Sequence, residues 1–152
     1  MGYRGKLGAT HISAVLDTID GAMWTGPLYM GRFTPMDVVF DTGSDWLVVE
    51  DERCTTCEGN TYNSEASGIQ VGDGISGRAY GSAYLTGTEF EGTVCLLLSA
   101  CVNSFEYFAI YTQYGISEPI DGIIGMARGG HYFYLGDMTR DSGPLYIDGL
   151  LN

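Results

Sequence analysis

A carboxyl group, two hydroxyls and a glycine occupy four consecutive positions, Asp41-Thr42-Gly43-Ser44. Val38-Val39-Phe40 leads in, and Trp46-Leu47-Val48-Val49 leads out. Both flanks carry residue types that suit a pleated, buried surface. A carboxylate between buried strands is costly unless donors satisfy it. The hydroxyls of Thr42 and Ser44 can donate to it, and Gly43 admits a close approach of backbone or ligand. The chemistry open to such a group is acid–base catalysis by a positioned carboxyl. An ordinary aspartate on a hairpin turn fits these four residues equally well.

The elements that must hold this loop read as β. Strands are expected at Ile12–Leu16, Trp24–Met30, Val38–Phe40 and Trp46–Val49, with turns at Asp20-Gly21 and from Gly31 to Pro35. Glu50 to Gly68 is polar and loop-like. Ile69 to Leu98 reads as hairpins, with Cys95-Leu96-Leu97-Leu98 as a buried strand, and Phe105 to Thr112 as another strand. After Arg128 the chain is rich in Gly, Tyr and polar residues. Pro144 suits the opening of a helix, and Tyr146/Leu150 and Ile147/Leu151 have helical spacing. No internal repeat or linker divides the 152 residues, so one all-β domain over 1–152 is expected.

Composition narrows the class. Hydrophobic residues at 45%, with 23 Gly and 11 Tyr, fit a turn-rich β protein better than a helical bundle. A net charge of -12 argues against nucleic acid and anionic membranes as partners, since both ask for a basic patch. No apolar run approaches a membrane span. Met1-Gly2-Tyr3-Arg4-Gly5-Lys6 does not open a signal peptide, so a form with leader and propeptide removed is expected.

The four cysteines fall as two close pairs, Cys54/Cys57 and Cys95/Cys101. Three pairings are possible, and local disulfides are expected, which implies an oxidising compartment. Zinc held by all four thiolates is the alternative, although the second pair is too widely spaced for a usual ligand set. Gly72-Asp73-Gly74-Ile75-Ser76-Gly77 spells a dinucleotide fingerprint. The residues after it, Arg78 to Tyr84, read as a strand instead of the helix that would cradle pyrophosphate. His11 and His131 stand apart from any candidate nucleophile or ligand cluster.

Four segments in order resemble a pepsin-like aspartic protease over most of the chain. Val38 to Ser44 resembles the first catalytic loop of that family. Cys54-Thr55-Thr56-Cys57, followed by Tyr62-Asn63 and Ser67-Gly68, resembles its cysteine-closed loop and the run after it. Tyr80-Gly81-Ser82, then Leu85-Thr86-Gly87, resembles the flap hairpin. Ile120-Asp121-Gly122-Ile123-Ile124-Gly125-Met126-Ala127 resembles the apolar segment that packs against the catalytic loop.

The resemblance implies one lobe of the acid protease fold, with a flap hairpin and few short helices. Asp41 is then the catalytic carboxyl, braced by Thr42 and Ser44, with Ser44 bonded to the carboxylate and Gly43 passing close to substrate. Tyr80, Gly81 and Ser82 form the flap over a peptide or protein substrate. No metal or organic cofactor is implied. Asp121 has a structural role, and Ile123 and Ile124 are core. Trp46 departs from the pattern, because the family places a Trp two positions later, at Val48 here. Trp46 is therefore either core or the lining of a subsite, and Asp45 is expected as a solvated turn residue.

That chemistry needs two carboxyls sharing one proton. The chain offers one loop. Asp141-Ser142-Gly143 has the letters of a second, but Met138-Thr139-Arg140 replaces the buried strand before it and Pro144 follows it. It is expected to be a helix-start turn. The counterpart is expected from a C-terminal lobe on a separate chain, and the compartment to be secreted or lysosomal/vacuolar. The alternatives are an inactive lobe serving as a binding or inhibitory module, and a homodimeric protease of retroviral type.

Overall fold

Trp24–Met30 (β2) and Thr34–Asp41 (β3) pair antiparallel through the turn at 31–33. Gly31 adopts φ 59°, and a methyl there would stand 2.5 Å from the Tyr62 hydroxyl. Both the backbone and the close neighbour therefore ask for glycine. The structure is a computed structural model that describes residues 13–18, 21, 23–80, 83–116, 120–127 and 144–151.

The other elements are β1 (Asp17–Thr18), β4 (Leu47–Glu50), α1 (Ser64–Ser67), β5 (Ile69–Gln70), β6 (Ser76–Tyr80), β7 (Ala83–Leu97), β8 (Ala100–Tyr114), β9 (Gly122–Gly125) and α2 (Tyr146–Leu151). The chain is mostly β. Pairing runs β2-β3-β9-β4-β8-β7, and β7 returns to β2 through Tyr29↔Cys95 and Met30↔Val94. Six strands thus close a barrel, which removes most free sheet edges. β6 extends the long β7 into a hairpin beyond the barrel, and β1 and β5 add short edges.

Two apolar clusters follow from the closure. One draws Leu28, Val38, Ile124, Leu47, Ala109 and Phe90 from the six barrel strands and fills the interior. The other gathers Val39, Trp46, Val48, Phe108, Ile110 and Ile123 on the opposite face, under Leu85 of β7. Neighbouring residues of a strand point to opposite faces, so Val38 and Val39 serve different clusters. Burial on both faces explains why Val38–Val39 of β3, Leu47–Val49 of β4 and Ile123–Ile124 of β9 read as apolar runs without alternation.

The Trp24–Met30 strand lies where it is expected. The expected strand at Ile12–Leu16 does not form within 13–16. Leu16 instead lies across Gly26, where a methyl would stand 2.6 Å from its Cδ2, and pairing begins only at Asp17. β8 is longer than expected because β7 supplies a partner along most of its length, with register shifts at three places. Leu98 is exposed at the β7–β8 turn, so the buried strand stops short of it. In α2, Tyr146 is buried. Its hydroxyl donates to the Val94 carbonyl at 2.8 Å and its ring stands edge-on to Phe105. Ile147 and Leu151 face outward.

Candidate functional site

β9 lies between β3 and β4, parallel to the first and antiparallel to the second. The connection 42–46 must therefore pass over the end of β9 to reach β4. Three backbone bonds fasten it there. Met126 N–H donates to the Asp41 carbonyl at 2.7 Å, Ala127 N–H to the Ser44 carbonyl at 2.9 Å, and Gly125 N–H to the Trp46 carbonyl at 2.9 Å. Gly125 makes the crossing possible, since a methyl there collides with the Asp45 backbone. Asp41 ends β3 opposite Gly125, so its position is set by the barrel and not by a free loop.

The Asp41 side chain is half-buried, and its Oδ1 accepts the Gly43 N–H at 2.9 Å. Thr42 and Gly43 are exposed beside it. Ser44 is 4% exposed, and its hydroxyl has no hydrogen-bond partner among the described residues. The bond expected from Ser44 to the carboxylate is therefore not made in this arrangement. A buried hydroxyl left unpartnered is costly, and it lies three residues from a carboxyl with spare acceptor capacity. The loop can hold one carboxyl at a surface where a second acid, a water or a peptide can reach it.

Asp45 corrects an expectation. It is 8% exposed, not solvated, and its Oδ1 accepts the Trp46 N–H at 3.0 Å. The close approach of Gly125 draws this residue inward. Trp46 is core, at 5% exposed, and meets Phe108 edge-on at 6.4 Å. Val48, where the resembled family carries Trp, is fully buried in the same cluster.

Sequence reasoning missed Arg78. It projects from β6 with its guanidinium 4.8 Å from the centre of the Trp46 ring and 4.7 Å from that of Phe108. It is ion-paired to Glu89 of β7 and bonded to the Ser76 hydroxyl. The cation thus ties the β6–β7 hairpin to the end of the Asp41 connection. Tyr80 ends β6 and pairs with Ala83 across a two-residue connection. Gly81 and Ser82 of the expected flap lie outside the described residues. Asp141-Ser142-Gly143, His11 and His131 also lie outside them.

Buried acids form a second centre at the far ends of β4 and β9 from the loop. Asp121 is 1% exposed, and its carboxylate accepts the N–H groups of Asp37 and Asn60 and the Asn60 amide, at 2.7, 2.6 and 3.4 Å. Its expected structural role is thereby accounted for. Glu50, also 1% exposed, accepts the Gly59 N–H at 2.9 Å. Burial, with Asp121 and Glu58 nearby, pushes its carboxyl up to about 7 despite that bond. Burial, Asp121 and Asp17 likewise raise Asp37. Asp51 is buried and pairs with Arg53 at 3.1 Å.

Cys54–Cys57 and Cys95–Cys101 are disulfides. All four thiols are consumed, which excludes the zinc alternative and indicates an oxidising environment. No group of three or more metal-ligating side chains occurs among the described residues. The segment after Gly72–Gly77 is β6 and not a helix, so the dinucleotide fingerprint has no phosphate cradle. No helix among the described residues is long and apolar enough to cross a membrane. No protein-family model matches this chain, and no curated protein matches it significantly.

Proposed function

We propose that this chain is one lobe of a pepsin-like aspartic endopeptidase and that Asp41 is its catalytic carboxyl. The observation that carries the reading is the crossing of β9 by residues 42–46, which presents Asp41 at the end of β3 with its backbone locked. The hairpin seated on that crossing by Arg78 supports a lid role for Tyr80, Gly81 and Ser82.

In this reading Asp41 shares a proton with a carboxyl from a separate C-terminal lobe. One of the two is acid and the other base, and together they activate a solvent water for attack on a peptide carbonyl. Thr42 faces the partner loop, and Ser44 turns its free hydroxyl to the carboxylate once the pair is assembled. The substrate is a peptide or protein segment held extended between the lobes. Neither metal nor organic cofactor takes part. A secreted or lysosomal/vacuolar compartment fits the disulfides and this chemistry.

The test is cleavage of an unfolded protein substrate at acid pH by the native particle, with its subunits identified by intact mass. Asp41→Asn is expected to lower the rate at least about a thousandfold, with the fold kept. Full activity in that variant removes Asp41 from the mechanism. A particle containing two copies of this chain assigns the second carboxyl to a homodimer instead of a separate lobe.

A further inference from the structure

The carboxyls at the far ends of β4 and β9 have a geometry that the proposed chemistry does not use. Glu50 closes β4, and Asp121 immediately precedes β9. The two share consecutive amides of one segment, since Gly59 N–H donates to Glu50 Oε2 and Asn60 N–H to Asp121 Oδ1. A methyl at Gly59 would stand 2.6 Å from Glu50 Oε2, from Asp121 Oδ1 and from the Ile120 carbonyl alike. The two carboxyl oxygens therefore lie within twice that distance of each other. Backbone bonds knit the same junction, from Glu50 N–H to the Asp121 carbonyl and from Tyr62 N–H to the Glu50 carbonyl.

Donors are divided unequally. Among the described residues Asp121 receives three N–H bonds and Glu50 one. Among the described residues the charges acting on Glu50 are negative, from Asp121 and Glu58. Asp37 sits on the far side of Asp121, and the adjacent Asp51 is neutralised by Arg53. Arg53 is itself stacked on Phe90 and Tyr111, so it is committed elsewhere. A buried carboxyl with one donor and acidic neighbours keeps its proton to higher pH than an exposed one.

We propose that Glu50 is a pH-sensitive latch: in its neutral form it lies beside Asp121 without repulsion while segment 58–60 bridges the two carboxyls, and on ionising, the repulsion between two buried carboxylates outweighs the strengthened Gly59 bond and loosens that segment. The unfolded chain gives up this proton near 4.5, whereas the folded chain keeps it up to about 7. The folded state therefore binds the extra proton across that window. Stability is fullest below the window, declines through it, and levels off above. Because β4 and β9 carry the Asp41 crossing, the latch favours the ordered crossing in acid.

The full chain without substrate suffices for the test, so loss or retention of proteolysis does not bear on it. Carbon-13 titration of the Glu50 carboxyl by NMR is expected to give a midpoint near 7. The thermal midpoint of the wild type is expected to fall by several degrees across the window, and Glu50→Gln to flatten that fall. Amides of Gly59 and Asn60 are expected to lose exchange protection above the window in the wild type only. A Glu50 midpoint near 4.5, or an unchanged slope in Glu50→Gln, overturns the latch. Should Glu50→Gln fail to fold, the wild-type titration decides alone.

Discussion

Arg78 shows what single residues contribute here. Its side chain is 13% exposed and that of Glu89 16%, so the pair is largely withdrawn from water. Removing one partner from such a pair strands the other charge. Arg78→Met is expected to cost about 3 kcal/mol in urea unfolding, and to shift the emission of Trp46, which loses its covering cation. Little of this was legible beforehand. Arg78 reads as an unremarked charge in a short strand, and only the paired register of β6 with β7 sets it over Trp46. Glu50 and Asp45 were hidden for a related reason. Each is an acid beside an apolar run, and nothing local says that β9 will enclose it. Asp121 was singled out by the apolar segment around it, and Asp41 by the hydroxyls and glycine that follow it.

At the scale of elements, β9 governs the site. It is four residues long, yet it pairs with both β3 and β4 and underlies the crossing. Gly122 passes against the Val48 carbonyl and Gly125 against the Asp45 backbone, leaving no space for a side chain at either. Gly125→Ala is expected to destabilise the fold by about 1–3 kcal/mol, the usual cost of overpacking. Chemical denaturation measures the loss, and chemical shifts of residues 41–46 are expected to move most. The apolar run of β9 was legible, as were Trp24–Met30 and the order of the later hairpins. Its place between β3 and β4 was not, because pairing partners so distant in sequence leave no local periodicity. The strand expected before Leu16 failed for the converse reason: an apolar run was present, but Gly26 offered it a packing surface in place of a ladder.

For the whole molecule, two disulfides and a closed barrel bear on stability together. Each bridge closes a short loop, and its removal is expected to cost about 2 kcal/mol. Calorimetry of the fully reduced chain checks this as a lowered melting temperature. The net charge of -12 adds self-repulsion at neutral pH, in the same direction as the proposed Glu50 latch. The insertion of β9 also sets an order of assembly. During synthesis β3 and β4 emerge early but leave the ribosome facing a gap, because the strand that belongs between them is made some seventy residues later. Until Gly125 arrives the nascent polypeptide carries two raw strand edges, so the carboxyl loop is among the last features to take shape.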